Sequence, residues 1–307
     1  MNSTIRIYGS VILSMIFWSF SFIWFKMANE TFRPVTIVFF RLVMSVALLS
    51  SYLYIKKKFV RIKREDLKLF VMLAVFEPFL YFLGESYGLT FVSATVGSVL
   101  ISTIPVVAAI GAWIIFRERL KVVNYAGIIL SFTGVLIFII NKDGTLLFDL
   151  KGVSLLMLAV LSAAGYNLTL SRLVGGYSPV FIVNFQNCLG TILFLPLFAG
   201  FELRHLSDAS FSVSSLMPVI ALAIFASCFA FILFAFSVRH IGITRSNVFT
   251  NFIPVFTAFF SFIVLGDRLT LQNIAGMVIV IAGLMMSQIN GRKKKHDEAL
   301  IPTGKTA

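Results

Sequence analysis

Charge is what this 307-residue chain has least of: Asp, Glu, Lys and Arg together make 13% of it, against roughly 25% in an ordinary soluble domain. The long apolar runs contain no Asp and no His; His205, His240 and His296 fall in the stretches between runs or in the tail. Paired intramembrane aspartates, a His-Glu-x-x-His helix and a Ser-His dyad therefore have no residues to be built from, and an intramembrane enzyme is disfavoured. A Gly-x4-Gly-Lys-Ser/Thr phosphate loop is also missing, so the chain itself does not hydrolyse ATP. Only Cys188 and Cys228 are present, both inside apolar runs. They support neither a disulfide framework nor a metal site, and read as small packing residues. No cofactor is called for.

What is abundant is apolar surface. Hydrophobic residues make 59% of the chain, with 34 Phe, 10 Met and a mean hydropathy of +0.96, which leaves no room for a soluble fold. About 20 apolar residues cross the hydrocarbon core of a bilayer. Runs of that length fall near residues 7–28, 34–55, 67–88, 94–116, 122–140, 152–172, 179–199, 215–238, 244–265 and 270–289. The first is longer than the core of a secretory leader and lacks a small-x-small cleavage site, so it reads as a spanning helix. The expectation is an all-α integral membrane protein of ten transmembrane helices, with the lipid bilayer as its partner. The formal charge of +13 resides in short basic runs between the apolar segments, which fits an anionic membrane face rather than nucleic acid.

Residues 95–137 and 244–286 are one segment written twice at a constant offset. Pro105 falls on Pro254, Glu118-Arg119-Leu120 on Asp267-Arg268-Leu269, Asn124 on Asn273, Gly127 on Gly276 and Gly134 on Gly283. Earlier parts match more weakly, with Pro34-Val35 on Pro179-Val180 and Arg41 on Gln186. Two five-helix halves, 1–145 and 146–290, follow, with a basic, disordered tail at 291–307. Five is odd, so the second half must cross the membrane inverted. With a cytoplasmic N-terminus, nineteen Lys and Arg lie on the inner side and six on the outer. That bias puts both termini in the cytoplasm. An inverted duplication is the pattern of a secondary transporter whose halves rock about a central site, although some channels share it.

These residues resemble the EamA family of the drug/metabolite transporter superfamily. The resemblance rests on Trp18-Ser19, Ser21-Phe22 and Phe40-Arg41-Leu42. It also rests on the Pro, Glu-Arg-Leu and Gly-Gly order of helices 4 and 5 and its echo in helices 9 and 10. It covers residues 5 to 290 and implies a bacterial inner-membrane permease, usually exporting amino acids or other small metabolites.

Away from the ends of the spans only Arg41, Glu77 and Glu85 are charged, and an ionisable residue in hydrocarbon is a functional candidate by default. At 1.5 Å per residue Arg41 lies roughly 10 Å below the outer surface, Glu85 about 5 Å and Glu77 about 16 Å. Glu77, Tyr81 and Glu85 share one helix face by their i, i+4, i+8 spacing, and Pro78 weakens the helix beside Glu77. Two roles compete for these charges: an Arg41–Glu pair that locks two helices, or contacts to a substrate. Ser98 and Ser102 on helix 4, their repeat mates Asn247 and Asn251 on helix 9, and Tyr166, Asn167 and Gln186 on helices 6 and 7 are the remaining polar candidates, for helix-to-helix hydrogen bonds or for substrate. Trp18 and Ser21 sit mid-span in helix 1. Gly127/Gly134 and Gly276/Gly283 read as packing faces. The expected function is a secondary transporter exporting amino acids or related metabolites. The alternative is export of amphipathic cations or drugs, which the two carboxylates would also attract.

Overall fold

The computed structural model describes residues 3–107, 122–139, 149–209, 211–267 and 270–287. The Arg117-Glu118-Arg119 loop, Arg268-Leu269 and the tail lie outside these residues. Every regular element among them is helical. Among the described residues seven helices are long and apolar enough to cross a membrane: α1 (Ser3–Asn29), α2 (Pro34–Ile55), α3 (Arg64–Phe91), α6 (Leu150–Leu173), α7 (Pro179–Ser207), α8 (Val213–Ile241) and α9 (Ile243–Val264). Three shorter apolar helices complete the set: α4 (Ala94–Val107), α5 (Val122–Ile139) and α10 (Leu271–Ser287).

Helix starts follow local chemistry. Pro34 and Pro179 occupy the first turns of α2 and α7, where a missing N–H costs nothing. Ser178, Ser93 and Asp149 accept backbone N–H bonds at the starts of α7, α4 and α6. Ser212 and Ser215 form a reciprocal box ahead of α8. Between α8 and α9 the chain reverses on Gly242 alone, at φ +80°, a conformation that glycine takes without a Cβ clash.

Packing pairs α1 with α8 and α9, α2 with α7 and α8, α3 with α6 and α7, α4 with α9 and α6, and α5 with α10. Glycines set the closest approaches. A Cβ on Gly84 would stand 2.5 Å from the Leu155 carbonyl oxygen of α6, and one on Gly190 of α7 would stand 2.2 Å from Pro78 Cγ. Pro78 thus sits where α7 has no side chain. It also explains the break in α3: the residue before a proline is driven to extended backbone, and Glu77 has φ −149° and ψ 119° inside a π-type turn.

α2 begins without a cap of its own, because Arg33 supplies no side-chain acceptor. Glu202, buried in the last turns of α7, takes that place. Its carboxylate accepts the backbone N–H of Val35 at 3.2 Å and of Thr36 at 2.6 Å, the Thr36 hydroxyl at 2.8 Å and the Tyr87 phenol at 3.4 Å. Negative charge is favoured at a helix N-terminus. At the opposite end Tyr177 donates to Asp66 at 2.7 Å and accepts the Lys63 N–H at 3.1 Å. Glu202→Ala strands two buried N–H groups, so it should destabilise the protein by about 3 kcal/mol, read as a lower melting temperature in detergent. An unchanged melting temperature would show that solvent takes over the acceptor role.

Candidate functional site

Two concavities stand out. The larger, about 140 Å³, lies at the ends of α2 and α7 beside Arg33, Glu202 and His205, where the carboxylate is already engaged in capping. The second is narrow, about 50 Å³, and lies within the helix bundle where the buried charges converge. One water needs about 10–15 Å³, so this cavity holds a few waters and has to widen to admit an organic ligand.

Half of the inner cavity's lining is polar. Arg41 of α2 meets Glu77, Tyr81 and Glu85 of α3 there, with Ser21 of α1, Tyr166 and Asn167 of α6, and Asn247 and Thr250 of α9 around them. The rest of the lining is apolar and aromatic: Trp18 and Phe22 of α1, Phe82 of α3, Ile101 and Ile104 of α4, Phe231 and Phe234 of α8, and Ile253 of α9. Trp18 packs edge-on against Phe231 at 5.2 Å and at a tilt against Phe234 at 5.0 Å between ring centroids. Seven helices contribute to it: α1, α3, α4, α6, α8 and α9, and α2 through Arg41.

The charges do not form the helix-locking pair that is one of the two sequence readings. No ion pair joins Arg41 to Glu77 or Glu85; an exposed Lys63–Glu65 contact at 3.7 Å lies outside the bundle. Arg41, 3% exposed, donates from Nε to Ser227 Oγ at 2.8 Å and lies over the Phe82 ring at 4.2 Å. Glu85 accepts the Tyr81 phenol at 3.0 Å. Glu77, 6% exposed, has no hydrogen bond among the described residues. A buried carboxylate without a partner is costly, and its one outlet is the cavity that it lines.

Nine of the thirteen sequence candidates line this cavity: Trp18, Ser21, Arg41, Glu77, Tyr81, Glu85, Tyr166, Asn167 and Asn247. Asn167 donates to Asn247 at 3.4 Å, which links α6 to α9. Ser98, Ser102, Gln186 and Asn251 are buried but lie off its wall. The two serines bond to carbonyls of their own helix, Thr95 and Val99, both at 2.7 Å. Gln186 accepts the Tyr166 phenol at 3.5 Å, and the Asn251 amide has no partner among the described residues. Phe82, Phe231, Phe234 and Thr250 on the wall, and Ser227 behind it, were not legible. Among 34 phenylalanines nothing marks three as facing a cavity.

A bundle of apolar helices around a buried, partly charged cavity defines a membrane protein with an internal site. The sequence profile of the EamA-like transporter family matches residues 6–140 and again 150–288. The chain belongs to the EamA-like transporter family and is a multi-pass membrane protein. An uncharacterised transporter of Archaeoglobus fulgidus is 27% identical to it, over 89% of this chain and 95% of that one. The uncharacterised transporter YetK of Bacillus subtilis is 28% identical, over 84% of this chain and 78% of its own length. A protein of known crystal structure superposes with a TM-score of 0.67 at 12% identity, covering 94% of this chain and 99% of that one. At that identity the likeness shows the fold alone.

Proposed function

We propose that this chain is an alternating-access carrier that exports small zwitterionic metabolites, amino acids foremost, across the cell inner membrane. The observation that carries the reading is the cavity lining: one buried arginine and two buried carboxylates, none ion-paired, share a cavity inside the bundle with aromatic side chains. A zwitterion brings one charge of each sign, and the aromatic lining suits an apolar side chain. The carrier form is supported by the two successive family matches. It is supported too by packing that repeats when each helix is exchanged for the one five places on: α1 on α8 has its counterpart in α6 on α3, and α2, α4 and α5 each pack on their own mates, α7, α9 and α10. Such symmetry supports two inverted five-helix repeats, and the excess of Lys and Arg on one side supports a cytoplasmic location for both termini. Export of amphipathic cations is the second reading, favoured by the two carboxylates against one arginine.

Counterflow tests it. Proteoliposomes loaded with millimolar unlabelled amino acids and given a trace of each labelled one outside should transiently accumulate at least one label. The signal should vanish when the matching internal load is omitted. Absence of counterflow for every amino acid would turn the assignment to organic cations.

A further inference from the structure

Arg41 is held from behind, and what holds it leaves its front free. Its Nε donates to Ser227 Oγ, and Phe82 covers its planar face. Ser227 is fully buried and is itself fixed, since its carbonyl accepts the Asn187 amide at 3.1 Å. The same amide nitrogen donates to Ser45 Oγ at 2.7 Å, and Ser45 Oγ lies 3.0 Å from Cys228 Sγ. This small polar cluster ties α2, α7 and α8 together directly behind the guanidinium. Five N–H donors belong to an arginine; one is used here, and the terminal nitrogens carry no hydrogen bond or ion pair among the described residues. Those nitrogens are not among the sealed, unpartnered atoms of the interior, and Arg41 lines the cavity.

A guanidinium clamped by its Nε and its face, with its terminal fork open to a cavity, is the arrangement that receives a planar anion in two parallel bonds. An arginine serving only to neutralise Glu77 or Glu85 would sit against one of them, and neither lies within ion-pair distance. A cavity built for simple amphipathic cations would gain nothing from a fixed positive charge in its wall. We infer that the cavity selects ligands that carry a carboxylate, received by the Arg41 fork, with Ser227 as the positioning residue that aims it. This rests on the carrier reading above and adds to it the group that decides between zwitterions and amines.

The test uses pairs of compounds that differ by the carboxylate alone: L-phenylalanine against 2-phenylethylamine, L-tyrosine against tyramine, L-tryptophan against tryptamine, L-leucine against isoamylamine, and L-lysine against cadaverine. Each is titrated against the purified full chain, with the melting temperature as readout. In every pair that shifts it, the carboxylate member should reach half-maximal effect at a concentration lower by about tenfold or more, a margin in keeping with one bidentate charged contact. Arg41→Lys should erase that preference. Ser227→Ala should reduce it several-fold and leave the amine's midpoint where it was, which a general loss of structure would not do. An amine equal to or better than its amino acid, a preference that survives both substitutions, or no shift with any pair would each overturn the inference. Counterflow separates this from the carrier reading: transport with amines preferred keeps the carrier and sinks the carboxylate site, whereas carboxylate-selective binding without counterflow does the reverse.

Discussion

Gly283→Leu is expected to cost this protein most of its folded population, with a loss of about 3 kcal/mol or more. A Cβ at Gly283 of α10 would stand 2.3 Å from the Ser131 nitrogen and 2.7 Å from the Gly127 carbonyl oxygen of α5. The relation is reciprocal, since a Cβ at Gly127 would stand 2.3 Å from the Ser287 nitrogen and 2.7 Å from the Gly283 carbonyl. One turn-pair further along, Gly134 faces Val280 and Gly276 in the same way. The obstructing atoms are backbone, so no rotamer change can make room. Between helices in lipid there is little hydrophobic drive, and close packing carries the association. Asn124 and Gln272 add one bond at each end of this contact, to the Ser287 and Ile137 carbonyls, both at 2.8 Å. Size-exclusion of detergent extracts after a temperature series reads the effect directly. Gly175→Leu, where no atom stands within 4 Å of the added Cβ, is the control and should melt with the wild type. Equal melting of Gly283→Leu would show that α5 and α10 can part without loss.

The helices themselves were legible because hydrocarbon imposes a length and an apolar composition, and both can be counted along a chain. The described segments fall on the expected runs, and α3 breaks at Glu77 where Pro78 requires it. The Gly127, Gly134 and Gly283 contacts were legible for the same kind of reason, a small residue recurring on one face. Facing is harder. Ser98 and Ser102 look like site residues because a hydroxyl in lipid needs a partner, but a helix carbonyl one turn back meets that need without any cavity. Glu202 falls between the apolar runs 179–199 and 215–238, where a carboxylate looks solvated. Its partners Val35 and Thr36 stand 167 and 166 positions away, and no local pattern reports a cap supplied from another helix. The available signal was negative: Arg33 ahead of Pro34 leaves α2 without an acceptor of its own. Ser227 was equally silent, since a lone serine among Ala, Phe and Cys reads as packing until Arg41 is seen against it.

Glu77 and Glu202 are both buried carboxylates, and their glutamine variants should part company. Glu202 uses both oxygens for acceptance, so Glu202→Gln replaces one acceptor with a donor facing a backbone N–H, and the protein should melt lower. Glu77 accepts nothing among the described residues and faces the cavity. Its burial is a cost to the fold, which neutralisation relieves; Glu77→Gln should melt at the wild-type temperature or above it. Transport should move the other way. If Glu77 meets the substrate's cationic group, counterflow in Glu77→Gln should fall by about tenfold or more, equivalent to about 1.4 kcal/mol of lost interaction. A group kept in place against stability is the mark of a site residue, because a packing residue has no reason to resist the more stable alternative. Melting temperature and counterflow measured on the same preparation decide the matter: lower melting with transport intact would return Glu77 to a structural role, and higher melting with transport lost would place it in the path of the substrate.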